Sequence, residues 1–97
     1  MKFQVKTIRK GTGYVFMREE YFDISDQSLY LLLLLNDGEH PIEYLIPATT
    51  WDNDSSNIFV YHSYKGKKSK PEYVLNISAK NIPQLERFKL ENMITAI

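Results

Sequence analysis

The sequence predicts an α+β domain: a mixed, largely antiparallel β-sheet of about five to six strands with a C-terminal helix packed on one face. Three observations predict it. Leu29-Tyr30-Leu31-Leu32-Leu33-Leu34-Leu35 is an apolar run with no polar interruption, which reads as a central strand covered on both faces. Shorter β-favouring runs are separated by turn-type clusters, and tight turns join antiparallel neighbours. Near the end, Leu85, Phe88, Met93 and Ile97 recur at roughly helical spacing, as the apolar stripe of a helix laid on a sheet does. Leu90 and Ile94 widen that stripe.

Bulk properties narrow the class. A chain of 97 residues is read as one domain, residues 1–97, that buries roughly 60–65% of its unfolded surface. Stability is then modest, and pairing with a second copy would add to it. Formal net charge is zero, so no global field draws nucleic acid or an anionic membrane, and any such binding needs a local patch. The apolar run is too short to span a bilayer, which takes about 20 residues as a helix. There is no cysteine, which excludes disulfides and thiolate metal sites. Met1-Lys2-Phe3-Gln4-Val5-Lys6 lacks the apolar region of a signal peptide, so a cytoplasmic location is expected and the sequon Asn76-Ile77-Ser78 reads as chance.

The elements follow in order. Phe3 to Lys10 reads as a strand, with Phe3, Val5 and Thr7 on one face and Gln4, Lys6 and Ile8 on the other. Gly11-Thr12-Gly13 reads as a hairpin turn that pairs Tyr14-Val15-Phe16-Met17 with the first strand. Arg18 to Ser28 reads as a helical turn or an irregular connection. After the leucine-rich strand, Asn36 to Pro41 turns the chain into Ile42-Glu43-Tyr44-Leu45-Ile46. Pro47 cannot donate to a sheet ladder and ends that strand or lies at an edge. Thr49 or Thr50 caps a short turn that sets Trp51 against the core. Ile58-Phe59-Val60-Tyr61 and Tyr73-Val74-Leu75-Asn76-Ile77 are the last strands. Ser78 or Asn81 caps the final helix, with Pro83 in its first turn.

One short stretch carries a chemical suggestion. The period of a strand puts Gln4 and Lys6 side by side on one face. An oxygen ligand beside an ammonium is half of a metal-dependent hydrolytic site: the oxygen helps hold Mg²⁺, and the lysine orients or activates the attacking water. Alternating polar residues on a solvent-facing strand look the same, and three residues alone do not separate the two readings.

Phe3-Gln4-Val5-Lys6-Thr7 resembles the second catalytic strand of the PD-(D/E)XK, restriction-endonuclease-like superfamily, in the branch where Gln replaces the acidic residue. Gly11-Thr12-Gly13-Tyr14, the long apolar strand, Tyr44-Leu45-Ile46-Pro47 with Trp51, Lys67-Lys68-Ser69-Lys70-Pro71-Glu72-Tyr73 and Asn76-Ile77-Ser78 are similar to small bacterial domains of that superfamily. The resemblance covers nearly the whole chain. It implies a nuclease-like fold, Gln4 and Lys6 as catalytic residues, and Gln4 as a metal ligand. Members normally carry a metal-binding Asp on an upstream strand, preceded by a helix with another acidic residue. Here Met1 stands immediately before the motif strand, so that first half is expected to be missing. Mg²⁺ favours roughly one or two carboxylates, and Gln4 supplies a neutral amide. Glu19, Glu20, Asp23 or Asp26 would substitute only if their loop folds over the Gln4–Lys6 face.

Other candidates stand beside plainer readings. Lys65, Lys67, Lys68 and Lys70 lie among Tyr61, Tyr64 and Tyr73, a pattern that fits phosphate contact with base stacking. A solvated lysine-rich loop that discourages edge aggregation has the same composition. His40 and His62 lack zinc-ligand spacing. The serines lie in no nucleophile-elbow context, and Gly11-Thr12-Gly13 lacks the rest of a phosphate-loop fingerprint. Tyr14, Tyr21, Tyr30 and Tyr44 suit a core or a homodimer face.

The expected function is that of a degenerate or truncated PD-(D/E)XK nuclease-like domain without a complete metal site, inactive by itself. No cofactor is expected, apart from Mg²⁺ under the nuclease reading. One alternative is a small homodimeric interaction or structural module that assembles through a sheet edge. Another is an active metal-dependent DNA nuclease completed by carboxylates of another chain. The expected partners are a second copy and nucleic acid through the basic loop, and no membrane.

Overall fold

The computed structural model describes residues 1–36, 38, 40–53, 56–63, 70–78 and 80–96. The described residues form six strands: β1 (Lys2–Arg9), β2 (Tyr14–Arg18), β3 (Leu29–Asn36), β4 (Pro41–Pro47), β5 (Phe59–His62) and β6 (Glu72–Asn76). A single helical turn, α1 (Thr50–Asn53), lies between β4 and β5. The chain closes with a 3₁₀ segment over Ile82–Phe88 and α2 (Leu90–Ala96). The class is α+β, as the sequence predicts. The strands are divided between two sheets, one ordered β1-β3-β4 and the other β2-β6-β5.

The leucine-rich strand is central in its sheet, parallel to β1 on one side and antiparallel to β4 on the other. Leu29, Leu31, Leu33 and Leu35 are buried, whereas Tyr30, Leu32 and Leu34 are only half-buried. The uninterrupted run therefore has one fully covered face, not two. Leu31 and Leu33 join Tyr44 and Ile46 of β4 in one core cluster with Val15 and Met17 of β2 and Leu75 of β6. Both sheets thus turn a face to the same core. Burying each such side chain contributes about 1.5–3 kcal/mol.

The hairpin read between β1 and β2 does not form. β2 pairs antiparallel with β6, with Val15 opposite Leu75 and Met17 opposite Tyr73. The turn itself explains why. The Thr12 N–H donates to the Arg9 carbonyl at 3.1 Å, and Gly11 has φ +96°, the left-handed position at the third residue of a type II turn. Unprimed turns of this kind splay the flanking strands instead of twisting them together. The chain then crosses through β2 and a 3₁₀ turn at Glu19–Tyr21 before returning as β3 beside β1. A parallel pair needs a long connection of this kind.

The terminal segment also differs from a single helix. Leu85 and Phe88 are buried and Met93 is half-buried, while Ile94 is exposed. An isolated antiparallel bridge between Tyr44 and Lys89 separates the 3₁₀ segment from α2. Ile97 lies outside the described residues. Trp51 is buried, and its indole N–H donates to the Val74 carbonyl at 3.1 Å. Its ring meets Phe22 and Phe59 edge-on, at centroid distances of 5.1 and 4.9 Å. Among the described residues no helix is long and apolar enough to cross a membrane.

Candidate functional site on the edge strand

β1 lies at an edge of its sheet, so one side of its backbone has no strand neighbour among the described residues. The Lys2 N–H donates to the Ser28 carbonyl and the Lys10 N–H to the Asn36 carbonyl. Even-numbered residues therefore turn their backbone groups to β3. By the alternation of a strand, Phe3, Val5, Thr7 and Arg9 turn theirs to the open edge.

Gln4 and Lys6 occupy one face of β1, in register with Leu31 and Leu33. Those two leucines point into the core, so Gln4 and Lys6 are on the core-side face at the sheet's margin. Both are half-buried, as is Ile8 after them. The strand reading of Gln4 beside Lys6 thus matches the observed register. Neither side chain makes a hydrogen bond or ion pair with another described residue. The opposite face carries Phe3 and Val5, both about half exposed at 50% and 55%.

The four carboxylates considered as substitutes are engaged elsewhere. Tyr61 donates its hydroxyl to Glu19 at 2.9 Å. Glu20 meets Lys70 at 3.2 Å and Arg18 at 3.6 Å. Asp23 accepts from the Ser25 hydroxyl and N–H at 2.6 and 2.9 Å. Asp26 accepts from the Ser28 hydroxyl and N–H at 2.6 and 2.9 Å, and pairs with the Lys2 ammonium at 2.8 Å. The Lys2 ammonium and the Ser28 donors hold Asp26 far below the ordinary carboxylate range, and the Ser25 donors lower Asp23. The bond to Asp26 in turn raises Lys2. Among the described residues, no group of three His, Asp or Glu side chains is placed to hold a metal ion.

Sequence reasoning missed the Lys2–Asp26 tie, although Asp23-x-Ser25 and Asp26-x-Ser28 carry the signal of an aspartate accepting from a serine two residues on. It also missed a groove of about 400 Å³ on the outer face of the β1-β3-β4 sheet, whose lining includes Phe3, Leu32, Glu43, Leu45, Leu90 and Ile94. The groove is on the opposite side of β1 from Gln4 and Lys6. Of the basic loop, Lys65, Lys67 and Lys68 lie outside the described residues, and Lys70 is exposed and paired with Glu20. His62 ends β5 opposite Glu72, and His40 is exposed at the start of β4.

Compared with protein-family models, with curated proteins and with solved structures, the chain finds no match in any of the three.

Proposed function

We propose that this chain is a PD-(D/E)XK-like domain with an incomplete metal site, which contacts nucleic acid without cleaving it by itself. The observation that carries the reading is the placement of Gln4 and Lys6 together on the core-side face of an edge strand, beside the parallel central strand β3. Gln4 supplies an amide oxygen and Lys6 an ammonium, which is half of what Mg²⁺-assisted hydrolysis needs. The carboxylates nearest in sequence are committed to other partners. The lysines from Lys65 to Lys70 would supply phosphate contact. The expected outcome with the purified chain, Mg²⁺ and DNA is no cleavage, together with weak binding that declines steeply with added salt. Metal-dependent cleavage abolished by Lys6→Ala would overturn the reading and make the chain a nuclease whose site is completed by another copy.

A second reading, a homomeric module assembled through the sheet edge, is favoured by a separate observation. Among the described residues no strand pairs with the outer side of β1, and Phe3 and Val5 are exposed on that strand. Unpaired edges of this kind template the addition of another strand.

A further inference from the structure

We infer that two copies of this chain pair β1 with β1 antiparallel, with Val5 on the twofold axis, so that Lys6 of each copy lies opposite the partner's Gln4. The inference rests on the edge-assembly reading and adds a register to it. In a twofold pair the same face of each copy must stay on the same side, which restricts the axis to steps of one residue. An axis at Lys6 sets Lys6 against the partner's Lys6, and an axis at Gln4 sets Lys2 against the partner's Lys6. Like charges directly opposite each other destabilise an antiparallel pair. Axes at Val5, Phe3 and Thr7 avoid both, and of these only the axis at Val5 sets Lys6 opposite an amide acceptor, since an axis at Thr7 sets it against the partner's Ile8 and an axis at Phe3 leaves it beyond the paired residues. The axis at Val5 places Val5 against the partner's Val5, Phe3 against the partner's Thr7, and Lys2 against the partner's Ile8.

The backbone agrees with this register. Phe3, Val5 and Thr7 turn their backbone groups to the open edge, so they form the hydrogen-bonded pairs of the new ladder. Gln4 and Lys6 then fall at the non-hydrogen-bonded pairs, where side chains are closest. Lys6, which has no ion pair or hydrogen bond with a described residue of its own chain, donates to the amide oxygen of the partner's Gln4. The partner thereby contributes a residue to the candidate site, and the two half-sites merge into one row of amides and ammoniums. Exposed Phe3 and Val5 are covered across the same seam.

The chain has no cysteine, so introduced thiols report without background. Gln4→Cys chains are mixed with tagged Lys6→Cys chains under mild oxidation, and the products are separated by mass. A mixed disulfide, joining position 4 of one chain to position 6 of the other, is expected to dominate. A non-hydrogen-bonded pair holds its Cα atoms about 4.5 Å apart, within disulfide reach. A dominant Lys6→Cys homodisulfide overturns the register and leaves edge assembly standing. Sedimentation of the unsubstituted chain is expected to show a concentration-dependent dimer, lost in Val5→Pro. That substitution removes a donor from the open edge and none from the β1–β3 ladder, and unchanged circular dichroism will show that the variant is folded. A chain that stays monomeric at every concentration overturns both the register and the assembly reading. A dimer that survives in folded Val5→Pro places the interface elsewhere and overturns the register.

Discussion

Asp26 ties the connection before β3 to the start of β1. Its carboxylate accepts from Ser28 two residues on and from the Lys2 ammonium at 2.8 Å, so one side chain both shapes the turn into the central strand and anchors the edge strand beside it. Such a carboxylate is ionised in the folded state at pH values where it is protonated in the unfolded chain. A group whose pKa is depressed by folding contributes stability above its unfolded pKa, and that contribution is lost as the pH falls. Asp23, lowered by Ser25, has the same sign. Stability is therefore expected to decline as pH drops below about 4, and Asp26→Asn is expected to flatten that decline. Urea midpoints measured at neutral and acid pH for both chains check this. An Asp26→Asn chain with the same acid slope as the parent would refute it.

At the scale of the element, β3 is uniform in composition and asymmetric in environment. Leu33 is 1% exposed and faces the core, whereas Leu32 beside it lines the outer groove and is half-buried. Leu33→Ala is expected to cost about 2–5 kcal/mol, the range for truncating a buried leucine that leaves a cavity. Leu32→Ala removes the same atoms from a site already open to water and is expected to cost clearly less. Denaturant titration of the two variants compares them directly. Equal losses would mean that the outer face is covered in solution, and a concentration dependence of the Leu32→Ala loss would identify the cover as a second copy. β1 shows the complementary pattern: its core-side face carries Gln4, Lys6 and Ile8, and its outer face carries Phe3 and Val5. The polar residues are on the side that borders the core, and two of the apolar ones are in water. On a solvated edge strand the usual arrangement is the reverse.

At the scale of the molecule, two small sheets share one core, and neither has enough strands to stand alone comfortably. β2 is adjacent in sequence to β1 but pairs with β6, near the other end of the chain. Phe22, from the crossover, packs on Trp51, which bonds to Val74 of β6 and meets Phe59 of β5 edge-on. Phe59 in turn meets Phe88 of the 3₁₀ segment. This aromatic chain links the second sheet, the crossover and the terminal segment. The two sheets are therefore expected to unfold as one cooperative unit. Trp51 is the sole tryptophan, so its fluorescence reports on the second sheet and the aromatic cluster, while far-ultraviolet circular dichroism reports on both sheets. Coincident transitions are expected. Loss of the fluorescence signal at lower denaturant than the dichroism would show that the sheets separate.

Local chemistry made much of this legible. The leucine run, with turn clusters on both sides, identified β3 as a central strand. Pro47 identified the end of β4 through its missing N–H. The period of a strand was enough to put Gln4 and Lys6 on one face of β1. The turn expected at Thr49–Thr50 sets Trp51 against the core, and Trp51 is buried.

The partners of these elements came only from tertiary structure. Gly11-Thr12-Gly13 is compatible with a hairpin, and nothing in those residues says that the turn is of the splaying kind. That β2 pairs with β6 depends on a match between residues as far apart in the chain as Val15 and Leu75, which no local pattern encodes. Whether each face of the leucine strand is fully or half covered likewise depends on what is laid over it. For the same reason the sequence alone determined which residues are neighbours on β1. Only the fold showed that this strand is an edge, that its polar face borders the core, and that Lys6 makes no ion pair with the described residues, because pairing and burial are properties of contacts between distant segments.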